Sequence, residues 1–119
     1  MTSTNNLPNR EDYVAKVLQW FVELPETPWR SRQPDLVRAA ELHSRGVGLE
    51  IVESAFLLGS LRRLGRPPDH PPLQPIRSLA YFLPVVEELI ETPVDANYLD
   101  YLRHKMRIYG GQKRARKCG

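Results

Sequence analysis

The sequence holds a single cysteine, Cys118, and that scarcity excludes an internal disulfide framework and a cysteine-rich zinc site. No apolar run approaches the ~18 residues of a membrane helix. The opening stretch MTSTNNLPNRED lacks the basic-then-apolar pattern of a signal segment, so the expectation is a cytoplasmic protein with no membrane contact. The three histidines, His43, His70 and His104, stand far apart, and no HxxxH or CxxC spacing occurs, so no metal site is expected. Arg45-Gly-Val-Gly48 is too short to cradle a nucleotide. No serine sits in a nucleophile context, and Cys118 has no histidine partner readable from the chain. Glu87, Glu88 and Glu91 crowd together, but a solvated helix face is a far commoner use of such a cluster than acid–base work or metal binding. Neither an enzyme nor a cofactor is expected.

What is present suits one globular unit. The chain has 119 residues, 41% of them apolar and 26% charged. That length fits a single domain able to bury roughly two thirds of its unfolded surface without staples. The expected unit spans residues 1–109, with 110–119 as a flexible basic tail.

The pattern along the chain is helical throughout. Asn9 is placed to cap a helix whose first turn carries Glu11 and Asp12, and Tyr13, Val17, Phe21 and Leu24 follow at helical spacing. Pro25 ends it. Three prolines in residues 25–34 make a loop, which Trp29 is expected to pin to the core. A second helix is expected from Pro34 or Asp35 to Ser44, with Leu36, Ala39, Ala40 and His43 on one face and Gly46 at its stop. The third, Leu49 to Leu64, has nine apolar residues in sixteen and should lie at the centre of the fold. Residues 65–75, GRPPDHPPLQP, hold five of the 11 prolines and read as a stiff, extended connector. A short helix or turn over Ile76–Phe82 precedes a helix from Pro84 to Glu91. The last helix, Asp95 to Tyr109, is expected to share Tyr98, Leu99, Leu102 and Met106 on one face, with Gly110-Gly111 closing it. The predicted class is all-α: a compact bundle of about five helices with a proline-rich connector and a basic C-terminal tail.

Charge is distributed unevenly. Residues 1–102 carry 10 basic and 14 acidic side chains, a net of −4, whereas residues 103–119 carry seven basic ones and no acid, a net of +7. The basic residues are Arg103, Lys105, Arg107, Lys113, Arg114, Arg116 and Lys117. Such a segment is the electrostatic footprint of an arm that lies along phosphates. Arg62, Arg63 and Arg66 cluster where the third helix meets the connector and are expected to give a second contact. Tyr98, Tyr101 and Tyr109 are near enough in sequence to stack on unpaired bases, although packing or a half-exposed surface accounts for them as well.

The segment Leu36 to Leu64 also has the outline of a helix-turn-helix. Its second helix opens with Glu50 and Glu53, where phosphate contacts should lie, and its middle is too apolar to leave a face for a groove. A core hairpin is the favoured reading.

The run AAELHSRGVGLEIVESAFLLGSLRR, a proline-rich spacer and then PIRSLAYFLPVVEELIE resembles the helical accessory segments of bacterial replication-type and mobile-element DNA proteins, over about half of the chain. The resemblance implies a bacterial DNA-associated role in which Arg62, Arg63 and Arg77 carry contacts.

The functional expectation is thus a small accessory protein that binds nucleic acid, DNA rather than RNA, through phosphate contacts. The competing expectation is a protein-interaction module. In that case the acidic face 87–101, or the basic tail, docks a partner protein or a second copy.

Overall fold

The computed structural model describes residues 7–109 apart from Pro68, His70 and Pro72. Five α-helices make up its regular structure among the described residues: α1 (Arg10–Glu23), α2 (Gln33–Ser44), α3 (Leu49–Leu64), α4 (Leu83–Glu91) and α5 (Ala96–Tyr109). A short 3-10 turn, Leu79–Phe82, leads directly into α4. The all-α class stands. No helix among the described residues is long and apolar enough to cross a membrane.

The expected punctuation acts where it was read. The Asn9 carboxamide oxygen accepts from the Asp12 N–H at 2.9 Å, satisfying one of the open donors of α1. Pro25 stops α1, and the buried Thr27 hydroxyl lies 2.8 Å from the Phe21 carbonyl and 2.7 Å from that of Leu24, closing the helix end. Gly46 has φ 75°, a left-handed conformation that costs glycine little, and this reverses the chain between α2 and α3.

The core is centred on three phenylalanines from three elements. Phe21 of α1, Phe56 of α3 and Phe82 of the 3-10 turn have ring centroids 5.0–6.3 Å apart. Tyr13, Val17, Val52, Ala55, Leu79 and Val86 complete it, all fully buried or nearly so. The stripe expected along α1 is the buried one. Tyr13 donates its phenol proton to the Val47 carbonyl at 2.6 Å, and burial pushes its pKa up to about 12. The His43 ring meets Tyr13 edge-on at 5.1 Å, with Nε2 3.0 Å from the Pro8 carbonyl, so this histidine is a structural one.

Four expectations of packing are corrected. Trp29 is 51% exposed and does not pin its loop to the core. On α2 the buried face is Asp35, Ala39 and Leu42, while Leu36 stands out in solvent. Apolar periodicity misphased this helix because its deepest contact is a carboxylate. Asp35 accepts from the Arg32 N–H at 2.9 Å and from the Leu79 N–H at 2.8 Å, which fastens the start of α2 to the 3-10 turn. On α5, Leu99 and Leu102 are buried but Tyr98 is 42% exposed. Asp95 caps that helix by accepting from the Tyr98 N–H at 2.8 Å.

Nor does α2 fold back on α3 as a hairpin. It packs against α1 and the 3-10 turn, whereas α3 packs against α1, α4 and α5. The central place expected for α3 is the one observed.

Asp35→Ala is expected to destabilise the protein by about 2–3 kcal/mol, because the buried Leu79 N–H would lose its acceptor. Asp35→Asn retains one acceptor oxygen and should cost less. Urea unfolding of the three proteins checks this order; equal stability of all three would remove Asp35 as the tie between α2 and the turn.

Candidate nucleic-acid interface

The cations singled out by sequence fall into three groups. Lys113, Arg114, Arg116 and Lys117 lie outside the described residues. A second group is matched by carboxylates of the same chain. Arg62 forks onto Glu88 at 3.1 and 2.8 Å. Arg103 forks onto Glu53, both bonds 2.8 Å, and reaches Asp100 at 2.9 Å. Arg63 is the most enclosed, with its side chain 6% exposed: Nε donates to Glu26 at 3.1 Å, Nη2 also bonds Glu26, and Nη2 donates to the Gln74 carbonyl at 2.8 Å. Its guanidinium also lies 5.3 Å from the centre of the Tyr81 ring. Arg63 and Arg103 are thus each engaged with carboxylates of the same chain, which brace the fold. Their acids lie 37 and 50 positions away, a pairing that no local pattern displays.

In the third group Arg77 and Arg107 are exposed, and Lys105 and Arg66 are half-buried. Arg107 is exposed in the last turn of α5, and Lys105 sits 5.7 Å over the Tyr101 ring. Arg66 gives one bond to the Pro71 carbonyl at 2.8 Å, one of the tethers along the connector. Arg77 is exposed beyond the connector, in a cleft whose Glu26 is held by Arg63.

Three acids of the acidic face, Glu87, Glu88 and Asp100, are paired with arginines as well. Arg45 forks onto Glu87 at 2.6 and 3.0 Å, an exposed pair that sequence reading missed. Hydrogen bonds from Arg45 and Arg62 hold the Glu87 and Glu88 carboxyls below their ordinary pKa values, so both stay charged at neutral pH. Asp95 caps α5 and Asp100 meets Arg103. A basic partner would have to displace these internal contacts. No group of acids, histidines and cysteines among the described residues is arranged to hold a metal ion.

Two concave surfaces remain beside the outward cations. One, of about 390 Å³, runs between the C-terminal half of α3 and α5 and is lined by Leu58, Leu61, Arg62, Tyr98, Tyr101 and Lys105. Its two tyrosines stack on each other, with centroids 5.7 Å apart and planes inclined by 23°. The other, of about 470 Å³, lies between loop 25–32 and residues 75–77; Trp29, Arg32 and Arg77 line it. Sequence reading missed Trp29 and Arg32 as members of a site. The signal was there in Trp29-Arg-Ser-Arg32, an aromatic interleaved with two basic residues and no acid.

The fold and these surfaces define a small all-helical domain with cationic, aromatic-lined clefts and a strongly basic C-terminal segment. No protein-family model matches the chain, and neither a curated protein nor a solved structure matches it.

Proposed function

We propose that this protein binds nucleic acid, DNA in the first place, as an accessory protein that contacts phosphates through the end of α5 and the basic segment after it. The observation that carries this reading is the contrast between the two ends of the charge distribution. Within the body, Arg45, Arg62, Arg63 and Arg103 are each paired with a carboxylate. From residue 104 onward the sequence has six basic residues and not one acid. Such a segment lowers its own repulsion by taking up a polyanion and releasing that polyanion's counterions. The resemblance to replication-type and mobile-element accessory segments supports DNA over RNA.

The test is binding of the full chain to duplex DNA, single-stranded DNA and RNA across a salt series. With six phosphate contacts the log–log slope on duplex DNA should reach about −5. A slope near zero, or no binding at low salt, would end the proposal.

A second reading, docking of a protein partner or a second copy, is favoured by one observation. Tyr98, Tyr101 and Ile108 are all exposed along α5, by 42, 50 and 56%. A dimer mass that persists at high salt, measured by light scattering without nucleic acid, would support docking through this apolar face.

A further inference from the structure

We propose that the cleft between loop 25–32 and residues 75–77 receives an unpaired base against Trp29 and its neighbouring phosphates on Arg32 and Arg77, which makes single-stranded nucleic acid the preferred ligand. This rests on the nucleic-acid reading above and specifies its ligand.

Three features of the cleft point to that chemistry. First, its charge has no internal match. Arg32 and Arg77 form no ion pair among the described residues, unlike the four paired arginines of the body. The cleft's own carboxylate, Glu26, is already held by Arg63 through two nitrogens. Two unmatched guanidinium groups in one concave surface call for an anion, and their planar donor forks suit phosphate oxygens.

Second, the cleft exposes a tryptophan. A side chain of this size is normally well covered, and Trp29 is 51% exposed. An exposed indole beside two guanidinium groups suits a flat ring attached to phosphate, which an unpaired nucleotide supplies. In a duplex the bases are stacked on each other, so only the phosphates could reach this surface.

Third, the two walls are fastened together before any ligand arrives. The Ile76 N–H donates to the Glu26 carbonyl at 3.0 Å, and Arg63 grips the Glu26 carboxylate. Glu26 has φ 66°, the one left-handed non-glycine among the described residues. Such strain persists only where the surroundings impose it, and here it sets the turn that carries Trp29. The volume, about 470 Å³, lies in the range of small-ligand sites.

The experiment uses the full chain, titrated with oligothymidylate and with a hairpin duplex while tryptophan emission is followed. Oligothymidylate should quench the emission, and Trp29→Phe should abolish most of that quenching, leaving the signal of Trp20. Trp29→Ala should weaken oligothymidylate binding about 10-fold or more. Arg77→Gln should make the single-strand salt slope shallower by about 0.7. Both residues are exposed, so Trp29→Ala and Arg77→Gln should both fold, and the hairpin duplex should lose much less affinity than oligothymidylate. If both variants bind oligothymidylate like the native chain while the duplex is still bound, the cleft assignment is overturned and the broader reading stands. Failure of every nucleic acid to bind at low salt overturns both. Equal quenching by a phosphorylated acidic peptide would overturn the base-stacking assignment in favour of a protein ligand.

Discussion

Phe82→Ala is expected to destabilise the protein by about 3–5 kcal/mol, the range for removing a buried aromatic ring. Phe82 is fully buried and touches three other rings: Phe56 at 5.0 Å, Tyr81 at 5.1 Å and Phe21 at 6.2 Å. It is the point where α1, α3 and the 3-10 turn meet, so no single element can move in to fill the space. The ring also lies against Gly59 on α3, where an added methyl group would stand 2.9 Å from its edge. Gly59→Ala should therefore be destabilising by about 1–3 kcal/mol, despite alanine's better helix propensity, because the ring must shift. Combining the two substitutions gives the sharper readout. With the ring gone, the alanine methyl occupies part of the vacated volume, and the double variant should be more stable than the sum of the single losses predicts. Thermal or urea unfolding of the four proteins measures this coupling. Additive losses would mean that Gly59 and Phe82 do not share a packing constraint. Against a total stability of ~5–15 kcal/mol, the single ring is a large share.

Removing residues 110–119 is expected to weaken duplex DNA binding on the order of 10³-fold at moderate salt, almost equally for all sequences. The deleted segment contains Lys113, Arg114, Arg116 and Lys117. Four phosphate contacts account for about 3.6 of the log–log slope, so the truncated chain should show a residual slope of about −2, from Lys105 and Arg107. Arg62, Arg63 and Arg103 should add little, since each is engaged with a carboxylate. Releasing Arg103 from Glu53 in order to bind phosphate would exchange one ion pair for another with little gain. Urea unfolding of the truncated and full chains, run alongside, checks that a loss of binding is not a loss of fold. Unchanged affinity and slope after truncation would move the interface back onto the helical body. The same series on single strands separates the tail from the Trp29 cleft: loss of the tail should weaken every nucleic acid, and loss of the cleft should weaken single strands most.

How much of this was legible along the chain depended on the range of the interaction concerned. The ends of the helices are set by contacts three or four residues long, such as Asn9 to Asp12 and Asp95 to Tyr98, and by prolines that cannot continue a helix. The bounds of α3 and the buried stripe of α1 were readable for the same reason. The charge contrast between residues 1–102 and 103–119 is likewise a property of order along the chain and needs no structure.

What the sequence by itself determined, then, is the all-helical class, the helix bounds and the concentration of basic charge at one end. Only the tertiary structure decided which arginines face outwards. Arg63 and Arg77 look equivalent in sequence, yet one is enclosed by Glu26, Gln74 and Tyr81 and the other is exposed in a cleft beside Trp29. It also decided that α2 buries a carboxylate in place of Leu36, because a backbone N–H from the 3-10 turn, 44 residues away, arrives to satisfy it. The physical reason is common to both cases. Burial of a charged group is tolerable only with a partner in place, and long-range partners are chosen by the packing of helices.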